Sequence, residues 1–187
     1  MDMMTDIARD YLADFEVLTE ARMELDDQLE KWWRVLLPKH VQPALQELNR
    51  GAAPVEWDNK SSPGLCHYRV TRDHPLILQL TDPRSSQRGC YTVTLLAQSQ
   101  PTLKSMARHE ALVNRLNGLA REQGIGDESG LKWAKTELAS ADIEIQADAP
   151  EATLRRVGDT AARCFKLIIE HRHMTSEGTG AANTSSP

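Results

Sequence analysis

Between residues 4 and 36 the apolar positions fall on a seven-residue repeat. Met4, Tyr11, Leu18, Leu25 and Trp32 recur every seven residues, and Ala8, Phe15, Leu29 and Leu36 hold the positions four residues further on. That spacing describes a narrow stripe on one long helix, shaped to lie against another helix. Thr5 or Asp6 can cap its start, and Pro38 marks its expected end, because the residue before a proline is pushed out of the helical region. A short helix carrying Val41, Leu45 and Leu48 follows, with Gly51 as its stop. Residues 52–64, with two prolines, Asn59, Ser61 and Ser62, read as a surface connection.

The pattern then changes period. Cys66, Tyr68 and Val70 alternate with polar neighbours, Leu76 to Leu80 is nearly all apolar, and Tyr91, Val93 and Leu95 alternate with threonines. Short turn-rich links between them predict an antiparallel meander. A helical period returns over residues 102–123 with Leu103, Met106, Val113, Leu116 and Ala120, and Gly124 and Gly126 end it. Residues 131–138 and 141–147 are predicted as two further strands. Asp148 and Pro150 open a last helix with the stripe Leu154, Val157, Ala161, Phe165 and Ile168. The expected fold is α+β: an antiparallel sheet of three to five strands with packed helices, preceded by the long heptad-bearing helix. Residues 1–51 form an acidic helical arm, residues 52–174 the α+β domain, and residues 175–187, nearly devoid of apolar bulk, a disordered tail.

Charge sharpens the reading of the arm. Residues 1–37 hold ten acidic and four basic residues, a balance of −6 in a chain of net charge −5. Phosphate binding draws on clustered Lys and Arg, so the arm is expected to meet a basic protein surface or an antiparallel second copy. A parallel self-pair sets like charges side by side and is disfavoured. The expected contact residues are Tyr11, Phe15, Leu18, Arg22, Leu25, Leu29, Trp32, Trp33 and Leu36. Arg22 interrupts the stripe, either setting register or marking where it turns to water. Trp32 and Trp33 point about 100° apart on a helix, so one packs inward and the other faces a flank; Trp33, beside Leu36 and Leu37, is the expected partner anchor, unless the second helix folds back and covers both rings.

Chemistry is sparse along the rest of the chain. Three widely spaced cysteines, Cys66, Cys90 and Cys164, show no Cys-x-x-Cys pair and read as buried thiols. Cys66 and His67 face opposite sides of a strand and cannot act as nucleophile and base. His171 and His173 sit about 200° apart on the last helix and could share one metal only where the helix has frayed; interaction with the helix C-terminal dipole is the plainer reading. Gly124, Gly126 and Gly130 look like a phosphate loop, but a helix precedes them and Asp127 and Glu128 lie among them. No cofactor, metal or catalytic set is expected, and an enzyme reading is weak. Neither a signal peptide nor a membrane-length apolar run is visible, which places the chain in the cytoplasm.

The order helix, three strands, helix, two strands, helix over residues 41–174 resembles that of the type III secretion chaperones, small acidic α+β dimers that bind extended segments of other proteins. That likeness is one of element order, with no motif and no residue carried over, and the arm before Pro38 departs from it. It implies a protein-binding module. The expected function is therefore a non-enzymatic interaction subunit or adaptor of a cytoplasmic complex, working through the arm. The alternatives are a chaperone-like binding module and a nucleic-acid-associated accessory protein. The accessory protein would use the basic residues of the last helix, Arg155, Arg156, Arg163, Lys166 and Arg172, with the loop at residues 84–88; spacing from Asp159 and Glu170 favours pairing of those cations within the helix.

Overall fold

The first helix does not stop at its proline. A computed structural model of the chain describes residues 3–49, 56–58, 64–86, 89–146 and 148–180, with side chains described at 12, 14–49, 64–86, 89–146 and 148–175. Helix α1 (Met3–Lys31) passes through one widened turn, Trp32–Leu36, and continues as α2 (Leu37–Leu48). In that turn the Leu37 N–H bonds the Trp32 carbonyl, five residues back. The widening accommodates Pro38, which has no N–H to donate and whose ring crowds the preceding turn.

A turn widened in this way acts as a one-residue insertion in the helical phase. The stripe expected at Trp32 and Leu36 therefore moves one position, and Trp33 and Leu37 face the core instead, followed by Val41 and Leu45. Trp32 and Leu36 are half-buried against the same core. Helix α2 lies on the last helix at close range: a Cβ at Gly158 would stand 3.1 Å from the His40 carbonyl oxygen. Glycine permits that approach.

Four strands form the body of an antiparallel sheet, and a three-residue strand edges it. In sheet order these are β1 (Glu56–Asp58), β2 (Leu65–Arg69), β3 (Leu76–Thr81), β4 (Tyr91–Ala97) and β5 (Glu137–Ile143). The α+β class, the antiparallel sheet and the long leading helix match the sequence reading. Strand β1 falls in the stretch read as connection. Alternation sets the two faces: Cys66, Tyr68, Leu78, Leu80, Val93 and Leu95 point into the core. His67, Gln79, Thr94 and Ser140 form a cross-strand polar row on the other face. Within it His67 Nε2 meets Gln79 Oε1 at 3.0 Å.

Two further expectations are corrected. Residues 102–123 form two helices, α3 (Gln100–Met106) and α4 (Glu110–Glu122). The reason is phase: Met106 and Leu112 are both buried but six residues apart, about 240° out of register on one helix, so the chain turns between them. The strand expected at residues 131–138 is mostly a loop, and β5 takes the register expected to be split between two strands. Helix α5 (Pro150–Gly180) packs under β3, β4 and β5 and against α2 and α4. It runs through Gly180, past the Met174 boundary drawn from composition. One contiguous core joins Trp33, Leu37, Val41 and Leu45 to the sheet and α5, so the second half of the arm is part of the body.

Candidate functional site

The residues expected to make contacts divide into two groups along the leading helix. Leu29 is 7% exposed and Trp33 is buried, whereas Phe15, Leu18 and Leu25 are 58%, 69% and 54% exposed. Spacings of three and four residues put Phe15, Leu18, Arg22, Leu25 and Leu29 within an arc of about 80° on a helix. A single face thus starts in the core and emerges into the open. Arg22 is exposed in the middle of the open part. The side chain of Tyr11 lies outside the described residues. Leu12, Val17 and Met23 add exposed apolar surface to the same segment, off the main stripe.

Charge is arranged around that stripe by the same periodicity. Glu16, Glu20, Glu24 and Asp27 follow one another on the opposite side of α1, and Asp14 and Asp26 border the stripe. All six are exposed. The helix therefore carries its main apolar stripe on one side and most of its acidic residues on the other, where exposed Val17 and Met23 lie among them.

The point where the helix leaves the body is pinned by electrostatics. Asp82 is buried, and its two carboxylate oxygens accept from Arg84 Nε and Nη2, the shortest contact being 2.6 Å. The same guanidinium donates to Glu30 Oε2 at 3.1 Å and to the Asp26 carbonyl at 3.5 Å. Glu30 in turn pairs with Arg34 at 2.7 Å. The carboxylates of Asp82 and Glu30 hold the Arg84 guanidinium in its charged form. Sequence reading set Arg84 among the cations of an accessory nucleic-acid surface; the structure commits it to Asp82 and α1.

Two of the cations of α5, Arg163 and Lys166, are likewise engaged, and Glu170 is too, though not as their spacing suggested. Glu170 pairs with Arg115 of α4 instead of Lys166. Lys166 donates to Gln123 Oε1 at 3.3 Å, and Arg163 donates to the Gln123 carbonyl and to Thr160 Oγ1. These bonds tie α5 to the end of α4.

The glycine loop is structural. Asn117 Oδ1 accepts from the Leu131 N–H at 3.1 Å and from Trp133 Nε1 at 2.9 Å. Gly130, at φ +98°, lies so close over the Asn117 side chain that a Cβ would meet it at 3.0–3.1 Å. The loop spends its glycine on that contact.

Two histidines that the sequence kept apart meet in the interior. His171 Nδ1 stands 3.3 Å from His74 Nε2, with the rings edge to face at 5.0 Å. His74 Nδ1 faces the Leu76 backbone. Burial pushes His171 down to about 4, with a smaller push from His74, and lowers His74 as well. His173 is exposed and outside the pair. No sequence signal linked residues 97 positions apart.

Among the described residues there is no cluster of three or more metal-ligating side chains, and no helix is long and apolar enough to cross a membrane. Cys66, Cys90 and Cys164 are buried free thiols, and burial raises Cys164 to about 12, so it is held protonated at neutral pH. Comparison with known protein families, with curated proteins and with solved structures gives no match.

Proposed function

We propose that this chain is a non-enzymatic protein-interaction subunit whose contact surface is the open face of α1. One observation carries the reading: the stripe of Phe15, Leu18 and Leu25 is exposed while its direct continuation, Leu29 and Trp33, is buried in the core. Leaving each such large side chain in water forgoes roughly 1.5 to 3 kcal/mol. A cover for the stripe recovers that energy, and a helix laid along α1 has the right shape. The partner we infer is an amphipathic helix of another protein, basic at its margins to meet Asp14 and Asp26 and steered by the acidic back of α1. The three buried free thiols suit a reducing compartment, and a cytoplasmic complex is the location we infer.

The test uses the full chain and the variant Leu18→Asp with Leu25→Asp, compared in cells of the source by affinity isolation and in solution by mass. The expected result is a defined partner, released by high salt and lost with the variant, whose unfolding midpoint stays that of the parent. A partner retained by the variant would overturn the reading. So would an antiparallel homodimer that the variant dissolves, in which case α1 serves self-assembly.

A further inference from the structure

A cavity of about 320 Å³ opens between β5, the end of α4 and the first half of α5. That volume lies near the lower end of the roughly 300–1,000 Å³ typical of small-molecule sites. Its floor is apolar and buried: Val93, Ile125, Ala139, Ile143 and Cys164. The small side chains of Ala139 and Ala141 on β5 leave room that larger ones would fill.

The polar groups around the cavity differ in how much bonding capacity the fold has used. Arg163 is held by Gln123 and Thr160, Thr160 Oγ1 donates to the Arg156 carbonyl, Asp142 accepts from Thr92, and Ser140 meets Thr94. By contrast, the side chains of Arg156 and Asp159 bond no other described residue, although both line the cavity. They stand three positions apart on α5 with the cation nearer the N-terminus, the less favourable order for pairing along a helix. One open cation and one open anion, a turn apart, border a small chamber with a polar rim and an apolar floor.

We propose that this cavity binds a free apolar α-amino acid as its zwitterion. The carboxylate meets the Arg156 guanidinium, the ammonium group meets the Asp159 carboxylate, and the side chain rests on Ile125 and Ile143. A single ligand carrying both charges on one carbon satisfies both residues at once. The site is separate from the face of α1 and does not depend on it.

The probes are L-leucine, leucinamide, which lacks the carboxylate, and N-acetyl-leucine, which lacks the ammonium group, each titrated into the full chain and followed by amide NMR shifts. The expected result is saturable movement of Ile125, Ala141 and Thr160 by leucine, with each analogue weaker by at least about tenfold, the effect of losing one charge-assisted hydrogen bond. Arg156→Gln should erase the preference over leucinamide alone, and Asp159→Asn the preference over N-acetyl-leucine alone. Both are exposed surface changes that leave the core intact. Ala141→Phe, which fills the chamber, should block all three. No saturable shift at millimolar leucine, or equal binding of the three probes, overturns the proposal.

Discussion

The indole of Trp33 stacks on the phenol ring of Tyr91, with centroids 6.3 Å apart and planes 20° from parallel. This contact joins the leading helix to the central sheet, and it depends on the widened turn that brings Trp33 rather than Trp32 inward. Trp33→Ala should therefore cost about 3–5 kcal/mol, the range for emptying a buried aromatic site. Trp32→Ala, at a half-buried position, should cost clearly less. Urea unfolding of the two variants checks the order, and equal losses would show that both rings contribute alike to the core.

Leading-helix exposure predicts an asymmetry along one stripe. Leu29→Asp places a charge in the core and should lower stability by about 3 kcal/mol or more, because an unpaired buried charge is among the most costly changes. Leu18→Asp and Leu25→Asp, on the open part, should each stay within about 0.5 kcal/mol of the parent. Thermal or urea unfolding of the isolated chain reads both. A large loss at Leu18 would mean that α1 is covered in the free protein.

Asp82 and Glu30 share Arg84 unequally. Asp82 is 1% exposed, so Arg84→Gln leaves a buried carboxylate without its cation and should destabilise the chain by about 3 kcal/mol. Glu30 is 43% exposed, and Glu30→Gln should cost less than about 1 kcal/mol. Double-mutant cycles on the two pairs measure the difference. Comparable coupling energies would contradict the burial argument.

Acid should loosen the contact between His74 and His171. Both are held neutral by burial, so their folded pKa lies below the unfolded value of about 6.5 and the unfolded chain binds more protons as pH falls. Their contribution is intact above about 6.5 and is lost progressively toward 4, where His171 titrates. Between pH 7 and 5 the loss from His171 should be about 2 kcal/mol. His171→Gln should flatten the slope by that amount in unfolding measured at both pH values. A variant with the parental slope would remove His171 as its cause.

What the sequence could and could not disclose follows from how local each cause is. Strands β2, β3 and β4 were legible because their period of two and their turns lie within a few residues. The α5 stripe was legible for the same reason, and Leu154, Val157, Ala161, Phe165 and Ile168 are all buried. The shift from Trp32 to Trp33 was not, because Pro38 can either end a helix or be absorbed by a wide turn, and packing on α5 decides. The Arg84 bridge to Glu30 and the meeting of His74 with His171 join distant segments, and one-dimensional spacing carries no trace of them. The stripe on α1 was visible as a pattern, while its division into covered and open halves is a property of the fold.

Two glycines should respond to alanine with opposite signs. Gly118 lies within α4, and a Cβ there would meet nothing within 4 Å. Gly118→Ala should stabilise the chain by about 0.5–1 kcal/mol, since alanine restricts the unfolded backbone and favours the helix. Gly130 sits at φ +98° with the Asn117 side chain 3.0–3.1 Å from the position of a Cβ. Gly130→Ala must bear the left-handed backbone, about 1–2 kcal/mol, and also displace Asn117 from its bonds to Leu131 and Trp133. The displaced indole should report directly as a shift in tryptophan fluorescence in Gly130→Ala that Gly118→Ala lacks. Unchanged stability and fluorescence in Gly130→Ala would show that the loop tolerates another path and that Asn117 does not fix it.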